Sequence, residues 1–185
     1  MFPPASGSCR EPMLSLMGTF THTAFDTALG PVALAATDEG VVRCNLPGSD
    51  PDILVEEVMA RTGLAPLEGG EKVDEAADQI IAFLEGDLRE FDLDLDWQLV
   101  GGFNQKVLQA TTRIPYGETA SYGEVAALAG SPGAARAAGT ALSVNPIALI
   151  VPCHRIIKAD GSTGGYGGGK AGTRLKQRLL DLEKN

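Results

Sequence analysis

No apolar run in the 185 residues approaches the roughly 18 needed to cross a bilayer, which excludes a transmembrane helix. Cysteine is scarce, and three thiols give an odd number, so no disulfide framework is expected and a reducing, cytoplasmic setting is. Residues 1–15 lack a basic start followed by a long apolar core, so no secretory signal is expected. Internal repeats are absent, which sets aside solenoids and arrays. Basic side chains are short as well: 15 Lys and Arg stand against 24 Asp and Glu, a formal charge of −9. Taken whole, that balance argues against a nucleic-acid partner. The deficit is uneven. Residues 1–100 hold 5 basic and 19 acidic side chains, whereas residues 101–185 hold 10 basic and 5 acidic ones. A basic half joined to an acidic one suggests that any polyanion is met by the second half. Apolar content of 44% is that of an ordinary globular protein.

Because thiols and imidazoles are few, their one juxtaposition is informative. Residues 145–155 read Asn-Pro-Ile-Ala-Leu-Ile-Val-Pro-Cys-His-Arg, with Cys153 beside His154. Ile147–Val151 reads as a buried strand, and Pro152 makes the backbone leave it just before the cysteine. The bend matters because neighbours on a straight strand point to opposite faces. Arg155 adds a positive charge that would favour the thiolate, the reactive form. Cys44, inside an apolar run, reads as a small buried hydrophobe, and Cys9 as an incidental exposed thiol. A zinc site built from Cys9, His22 and Cys44 is not expected, since none of the spacings resembles a ligand pair.

Along the chain, residues 1–14 read as a disordered leader and residues 15–100 as an α+β domain of structural role. Three β-like stretches lie at Thr19–Thr23, Pro31–Ala35 and Val41–Leu46. Asp50 as N-cap and Pro51 at the first helical position open a helix that stops at Gly63, and a second runs from about Glu71 to Leu84. Phe91–Leu99 alternates apolar residues with three aspartates, which predicts an extended tie, half-buried, into the next domain. Residues 101–185 are predicted helical. Phe103–Arg113 forms one helix. Ser121 with Glu124 makes a capping box for a second, ended at Gly130, and Ser131 with Pro132 starts a third that reaches about Val144. The last two, joined by a single-glycine turn, have the form of a helix-turn-helix. The third helix is nearly all Gly and Ala apart from Arg136. So slim a helix suits close packing inside the protein or entry into a DNA groove, and composition does not choose between them.

Val151-Pro152-Cys153-His154-Arg155 resembles the active-site signature of the O6-alkylguanine-DNA alkyltransferases, a family of direct-reversal DNA repair proteins. Ile114-Pro115-Tyr116-Gly117-Glu118-Thr119, Ser121-Tyr122-Gly123, Pro132 with Ala134-Ala135-Arg136-Ala137, Asn145-Pro146 and Gly164-Gly165-Tyr166 stand in that family's order between Phe103 and Glu183. The resemblance implies an α/β protein in which a small ribonuclease H-like α+β domain precedes a winged-helix-like C-terminal domain carrying the helix-turn-helix. It implies irreversible, single-use transfer of an alkyl group from O6-alkylguanine in double-stranded DNA to Cys153, with O4-alkylthymine left open as a second substrate. His154 would act through a water as the base, oriented by Glu183. Tyr122 would rotate the 3′ phosphate and donate a proton toward the leaving purine, and Asn145 would brace the turn around the thiol. Arg136 would occupy the space of the extruded nucleotide, on a DNA-binding face that includes Ser121, Tyr122, Ala134 and Ala135. Tyr166, Val151, Ile156 and Gly167 would wall the pocket. No metal, no cofactor and no membrane are implied, and the protein would act as a monomer.

The chemistry behind these expectations is general. A lesion inside a duplex is out of reach of any side chain, so the base must be flipped out, at a cost of a few kcal/mol that an inserted wedge offsets. Transfer to sulfur leaves a thioether, which has no carbonyl for water to attack, so the thiol is spent. Two departures from the family pattern stand out. Residues 167–173 are glycine-rich and about three residues longer than usual, which predicts a mobile loop at the pocket rim, and Gly167 offers no hydroxyl to the base. Gly133 and Ser143 fall where relatives can be basic, which predicts weak nonspecific DNA affinity with a shallow salt dependence. Two further readings compete: a lesion-sensing or regulatory DNA-binding module whose thiol is secondary, and a turning-over Cys-His-Glu hydrolase.

Overall fold

The computed structural model describes residues 18–167 and 169–184; the expected leader, residues 1–14, and Cys9 with it, lie outside them. The fold is mixed α/β. Strands β1 (Thr19–Phe25), β2 (Val32–Thr37) and β3 (Gly40–Cys44) form an antiparallel meander. Helix α1 (Pro51–Thr62) then returns the chain to β4 (Ala65–Glu68), which pairs parallel to β1, giving the order β3-β2-β1-β4. The sequence gives β4 no alternation and places Pro66 inside it, so it passes for loop; Pro is tolerated there because β4 is an edge strand.

Strand periodicity then decides which layer packs where. Ala33 and Ala35 join Leu54 and Val58 of α1 in one small cluster, while Val32, Leu34 and Ala36 face the main core with α2 (Glu71–Glu85). Helix α1 starts as its residues require, with the Asp50 carboxylate accepting from the Asp52 amide at 3.0 Å and Gly63 closing it at φ 72°. Only Leu54 and Val58 of its apolar residues are buried; Ile53 and Met59 are exposed.

The segment Phe91–Leu99 differs from its predicted form. Its one backbone pairing with the sheet among the described residues is a bridge between Val41 and Leu95, and the alternation fails at its third aspartate. Asp92 and Asp94 are exposed, but Asp96 is buried, accepting from Thr37 Oγ1 at 2.6 Å and from the Gln98 amide at 2.9 Å. A turn at Trp97–Val100 needs that carboxylate as its anchor.

Beyond it lie α3 (Gly102–Thr111), β5 (Ala120–Ser121), α4 (Tyr122–Leu128), α5 (Ala135–Ser143), a 3-10 turn at Cys153–Arg155, β6 (Ile156–Ile157) and α6 (Gly169–Leu182). The capping box forms with both arms, Ser121 N to Glu124 Oε2 at 2.6 Å and Glu124 N to Ser121 Oγ at 3.2 Å. Helix α5 starts later than Ser131 and Pro132 predict. Gly133 has φ 86°, a left-handed value that no α-helical turn accommodates, so residues 131–134 make a separate turn first. Residues 169–173, expected in a mobile loop, are instead the first turn of α6. Gly172 makes this possible, because a Cβ there would fall 1.5 Å from the Tyr166 carbonyl oxygen. A single main core runs from Val32 and Cys44 of the first half to Cys153 and Tyr166 of the second. No helix among the described residues is long and apolar enough to cross a membrane.

Candidate active site

The cysteine turn is built by one side chain. Ile147–Val151 is buried as expected, but it is a turn and not a strand: Leu149 has φ 68°, and the Val151 amide donates back to the Ile147 carbonyl at 3.0 Å. A branched residue in the left-handed region costs on the order of 1–3 kcal/mol, so its surroundings must hold it. Asn145 does so from both ends. Its Oδ1 accepts from the Ile147 amide at 3.0 Å, and its Nδ2 donates to the Val151 carbonyl at 3.1 Å. The same Nδ2 lies 3.3 Å from Cys153 Sγ, so the group that holds the turn also donates to the thiol. From the other side, the outer edge of β3 grips the turn: Cys44 N donates to the Pro146 carbonyl at 2.8 Å and the Ala148 amide donates to the Cys44 carbonyl at 3.0 Å. Cys44 itself is buried, and burial pushes its thiol up to about 12, against a small opposing effect of Arg43, so it is unreactive.

Behind Cys153 sits a buried polar cluster. His154 is fully buried, its Nε2 2.7 Å from Glu183 Oε1, while its Nδ1 has no partner among the described residues. Glu183 also receives Arg155, through Nε at 2.9 Å and Nη2 at 2.9 Å, and the Gly117 amide at 3.1 Å. Burial opposes the Glu183 charge, but the His154 and Arg155 hydrogen bonds outweigh it and bring the carboxyl down to about 2. Burial, aided by the charges of Arg155 and Lys176, lowers His154 despite Glu183, so the imidazole is neutral at neutral pH. With Nε2–H donating to the carboxylate, Nδ1 holds the free lone pair.

Burial raises the Cys153 thiol, and the hydrogen bond from Asn145, the charge of Lys176 and the Tyr166 hydroxyl act against it. The cation that favours the thiolate is thus Lys176 and not Arg155, whose guanidinium is committed to Glu183 and to the Ile114 carbonyl at 2.7 Å. Lys176 is 1% exposed, donates to the Ile156 carbonyl and lies 5.8 Å from the Tyr166 ring centroid. Burial lowers its ammonium to about 8. Sequence reasoning missed it, although it falls three and four residues before Leu179 and Leu180, on their buried face.

Cys153 opens into a cavity of about 510 Å³ lined also by Tyr122, Asn145, Tyr166, Gly167 and Leu46. Its size fits the roughly 300–1,000 Å³ of small-molecule pockets. Tyr166 is 8% exposed and its hydroxyl faces the thiol. Tyr122 stands at the first position of α4 between two glycines: a Cβ on Gly139 of α5 would lie 3.6 Å from its ring, and one on Gly164 2.9 Å from its hydroxyl. Burial raises the Tyr122 phenol, with the Cys153 charge adding to it. Val151 and Ile156, expected in the pocket wall, are fully buried behind it and do not line the cavity. Their side chains pack in the core because the turn at Leu149 and the short strand β6 direct them inward. Leu46 does line it, although the first half looked purely structural; a leucine before Pro47-Gly48 carries no signal of that role. Arg136 is exposed on α5, with Ala134 and Ala135 at its start and Ser121 at the foot of α4. A second cavity of about 560 Å³ lies on the far side of Arg155 and does not reach the thiol.

Residues 102–185 match the family model described as 6-O-methylguanine DNA methyltransferase, DNA binding domain. A methylated-DNA–protein-cysteine methyltransferase of Mycobacterium tuberculosis is 44% identical over 89% of this chain and 92% of its own length. One of Methanosarcina acetivorans is 38% identical over 88% and 97%. The crystal structure of Mycobacterium tuberculosis OGT in complex with DNA superposes with a TM-score of 0.72 at 41% identity, covering 89% of this chain and 92% of that one. Matched along nearly their whole length at 38–44% identity, these relatives show that this chain belongs to the methylated-DNA–protein-cysteine methyltransferase family.

Proposed function

We propose that this protein repairs alkylated DNA by moving the alkyl group from O6 of guanine to Cys153, once per molecule. The observation that carries the reading is a thiol held 3.3 Å from Asn145 Nδ2 in a cavity, beside a buried His154–Glu183 pair. His154 Nδ1 is the atom free to take the thiol proton through a water, and Glu183 stabilises the imidazolium that results. The Sγ–C bond forms as the C–O6 bond breaks, the bonding pair stays on the purine, and one proton, from the Tyr122 phenol, restores neutral guanine; His154 releases the thiol's proton to solvent and solvent returns one to Tyr122, so protons balance. Lys176 and Asn145 stabilise the thiolate until attack. The product is a thioether with no exit, and the reaction as written consumes no cofactor.

Double-stranded DNA is the substrate, met by the basic half of the chain. Arg136, on an α5 whose other residues are small, fills the gap left by the flipped nucleotide, with Ser121, Tyr122, Ala134 and Ala135 lying along the phosphates. Tyr166 and Gly167 wall the pocket for the base. We infer a ribonuclease H-like first domain, residues 15–100, supported by the strand order β3-β2-β1-β4, and a winged-helix-like second, residues 101–185, supported by the α4–α5 pair and the parallel β5–β6 pairing. A monomer in a reducing cytoplasm suits a single reactive thiol.

Duplex DNA with radiolabelled O6-methylguanine tests the reading. Label should appear on Cys153 up to one equivalent, and Cys153→Ser should accept none. Retention of DNA without transfer would support the binding module instead, and several turnovers per molecule the hydrolase.

A further inference from the structure

The active-site cavity has a neighbour. A groove of about 450 Å³ shares Leu46 and Gly167 with it and continues along α6 past Arg174 and Arg178. These two arginines lie one helical turn apart and are exposed, and neither has a carboxylate in ion-pair distance among the described residues. Pro47, Gly48 and Ser49 form the facing wall, so the wall contributes no acidic side chain. The partition between the two spaces is thin. Gly167 has φ 50°, and a Cβ on it would come 2.5 Å from Leu46 Cδ1, so any side chain at this position would close the passage or push Leu46 aside. Among the described residues, glycine here leaves one leucine side chain at the rim, which is half-buried and lines both spaces.

Resting on the alkyl-transfer reading, we propose that this passage is a subsite for the far end of large O6 substituents that terminate in an anion. The substrate class is an O6-alkylguanine whose chain is long enough to cross Leu46 and carries a carboxylate or similar group. Its reacting carbon stays at Cys153, its body lies across Leu46 and Gly167, and its anionic end meets Arg174 and Arg178. Bond changes are those of the parent reaction: Sγ–C forms, C–O6 breaks and the pair remains on guanine. The arginines take no part in them and act by holding the tail, so they raise the rate at limiting substrate and leave small substituents unaffected.

The test compares single-turnover transfer from three O6-benzylguanine derivatives whose para position bears a short linker ending in a carboxylate, a primary amide or an ammonium group. O6-methylguanine duplex serves as the reference. Two exposed contacts give about a threefold to tenfold advantage of carboxylate over amide at low salt, and a penalty of similar size for ammonium. The advantage should vanish in Arg174→Gln/Arg178→Gln and shrink at 0.5 M salt, while methyl transfer from the duplex stays within twofold. Leu46→Ala should speed all three long substrates more than it speeds methyl transfer. A carboxylate no faster than its amide, or an advantage that survives loss of both arginines, overturns the proposal. Loss of methyl transfer in the unaltered protein would instead overturn the function on which it rests.

Discussion

Replacing Glu183 by Gln removes one charge and almost no volume, so it isolates what the carboxylate does. Arg155 would keep the Ile114 carbonyl at 2.7 Å but lose its counterion, and its guanidinium is only 6% exposed. Stranding one member of a buried ion pair costs about 3–5 kcal/mol. For a chain of this length that is roughly 6–20 °C in Tm. The chemical effect is separate. Without a carboxylate on Nε2, the imidazolium that forms as Cys153 ionises loses its stabilising charge, and the amide of Gln can reverse the tautomer so that Nδ1 carries the proton. Alkyl transfer should fall by about 100-fold or more at temperatures where the variant is still folded. Urea unfolding followed by the fluorescence of Trp97, the one tryptophan, measures the first effect, and single-turnover transfer the second. The double change Arg155→Met/Glu183→Met should be less destabilised than Glu183→Gln, since no charge is left unpaired. A loss below about 1 kcal/mol with an unchanged transfer rate would refute this account of the cluster.

The same carboxylate sets the acid limit. A folded value of about 2 against an ordinary 4.5 means stability that is complete above about pH 5 and lost as pH falls toward 2, on the order of 3 kcal/mol, and the buried neutral His154 adds a loss below its ordinary 6.5. Urea midpoints should therefore drop between pH 6 and pH 3, and much less so in Glu183→Gln. Gly172→Ala would gain about 1 kcal/mol if helix propensity ruled, yet the methyl would meet the Tyr166 carbonyl, so thermal unfolding should show a loss of about 3 kcal/mol. Nonspecific DNA binding should give a log K against log salt slope shallower than about −5, steepened by about 0.9 in Ser143→Lys; a steeper slope in the unaltered protein contradicts the reading of Gly133 and Ser143.

Local signals in the sequence were read correctly where one residue decides an outcome by itself. Asp50, Pro51 and Gly63 bound α1, and Ser121 with Glu124 starts α4, because caps act on the nearest turn and need no tertiary context. The residues that failed are those whose role depends on partners far along the chain. The apolar run 147–151 is buried on every side, so it carries no period, and only Asn145 and the edge of β3 decide that it turns. Asp96 looked like its exposed neighbours until Thr37, 59 residues away, supplied the hydroxyl that buries it. Of the cluster around Cys153, the motif residues were legible through resemblance. Lys176 and Leu46 were not, since neither belongs to a motif and each is brought in by packing.

That packing gives the acidic first half a part in the chemistry. Cys44 spends both its backbone N–H and its carbonyl on the turn that precedes Cys153, covering the end of a β3 edge whose start is paired with Leu95. A shift of β3 by one residue would turn Cys44 to the opposite face and withdraw both bonds from the strained turn at Leu149. Val32, Leu34 and Cys44 also share one core with Val107, Leu149 and Cys153. Residues 101–185 on their own would expose that apolar surface and leave the turn held by Asn145 and its own backbone bonds. The thiol would then sit in a looser, wetter site, in which the burial that keeps His154 neutral no longer operates. The first half therefore shapes the site without a side-chain hydrogen bond to it, by gripping the turn before Cys153 and helping to keep water from its core.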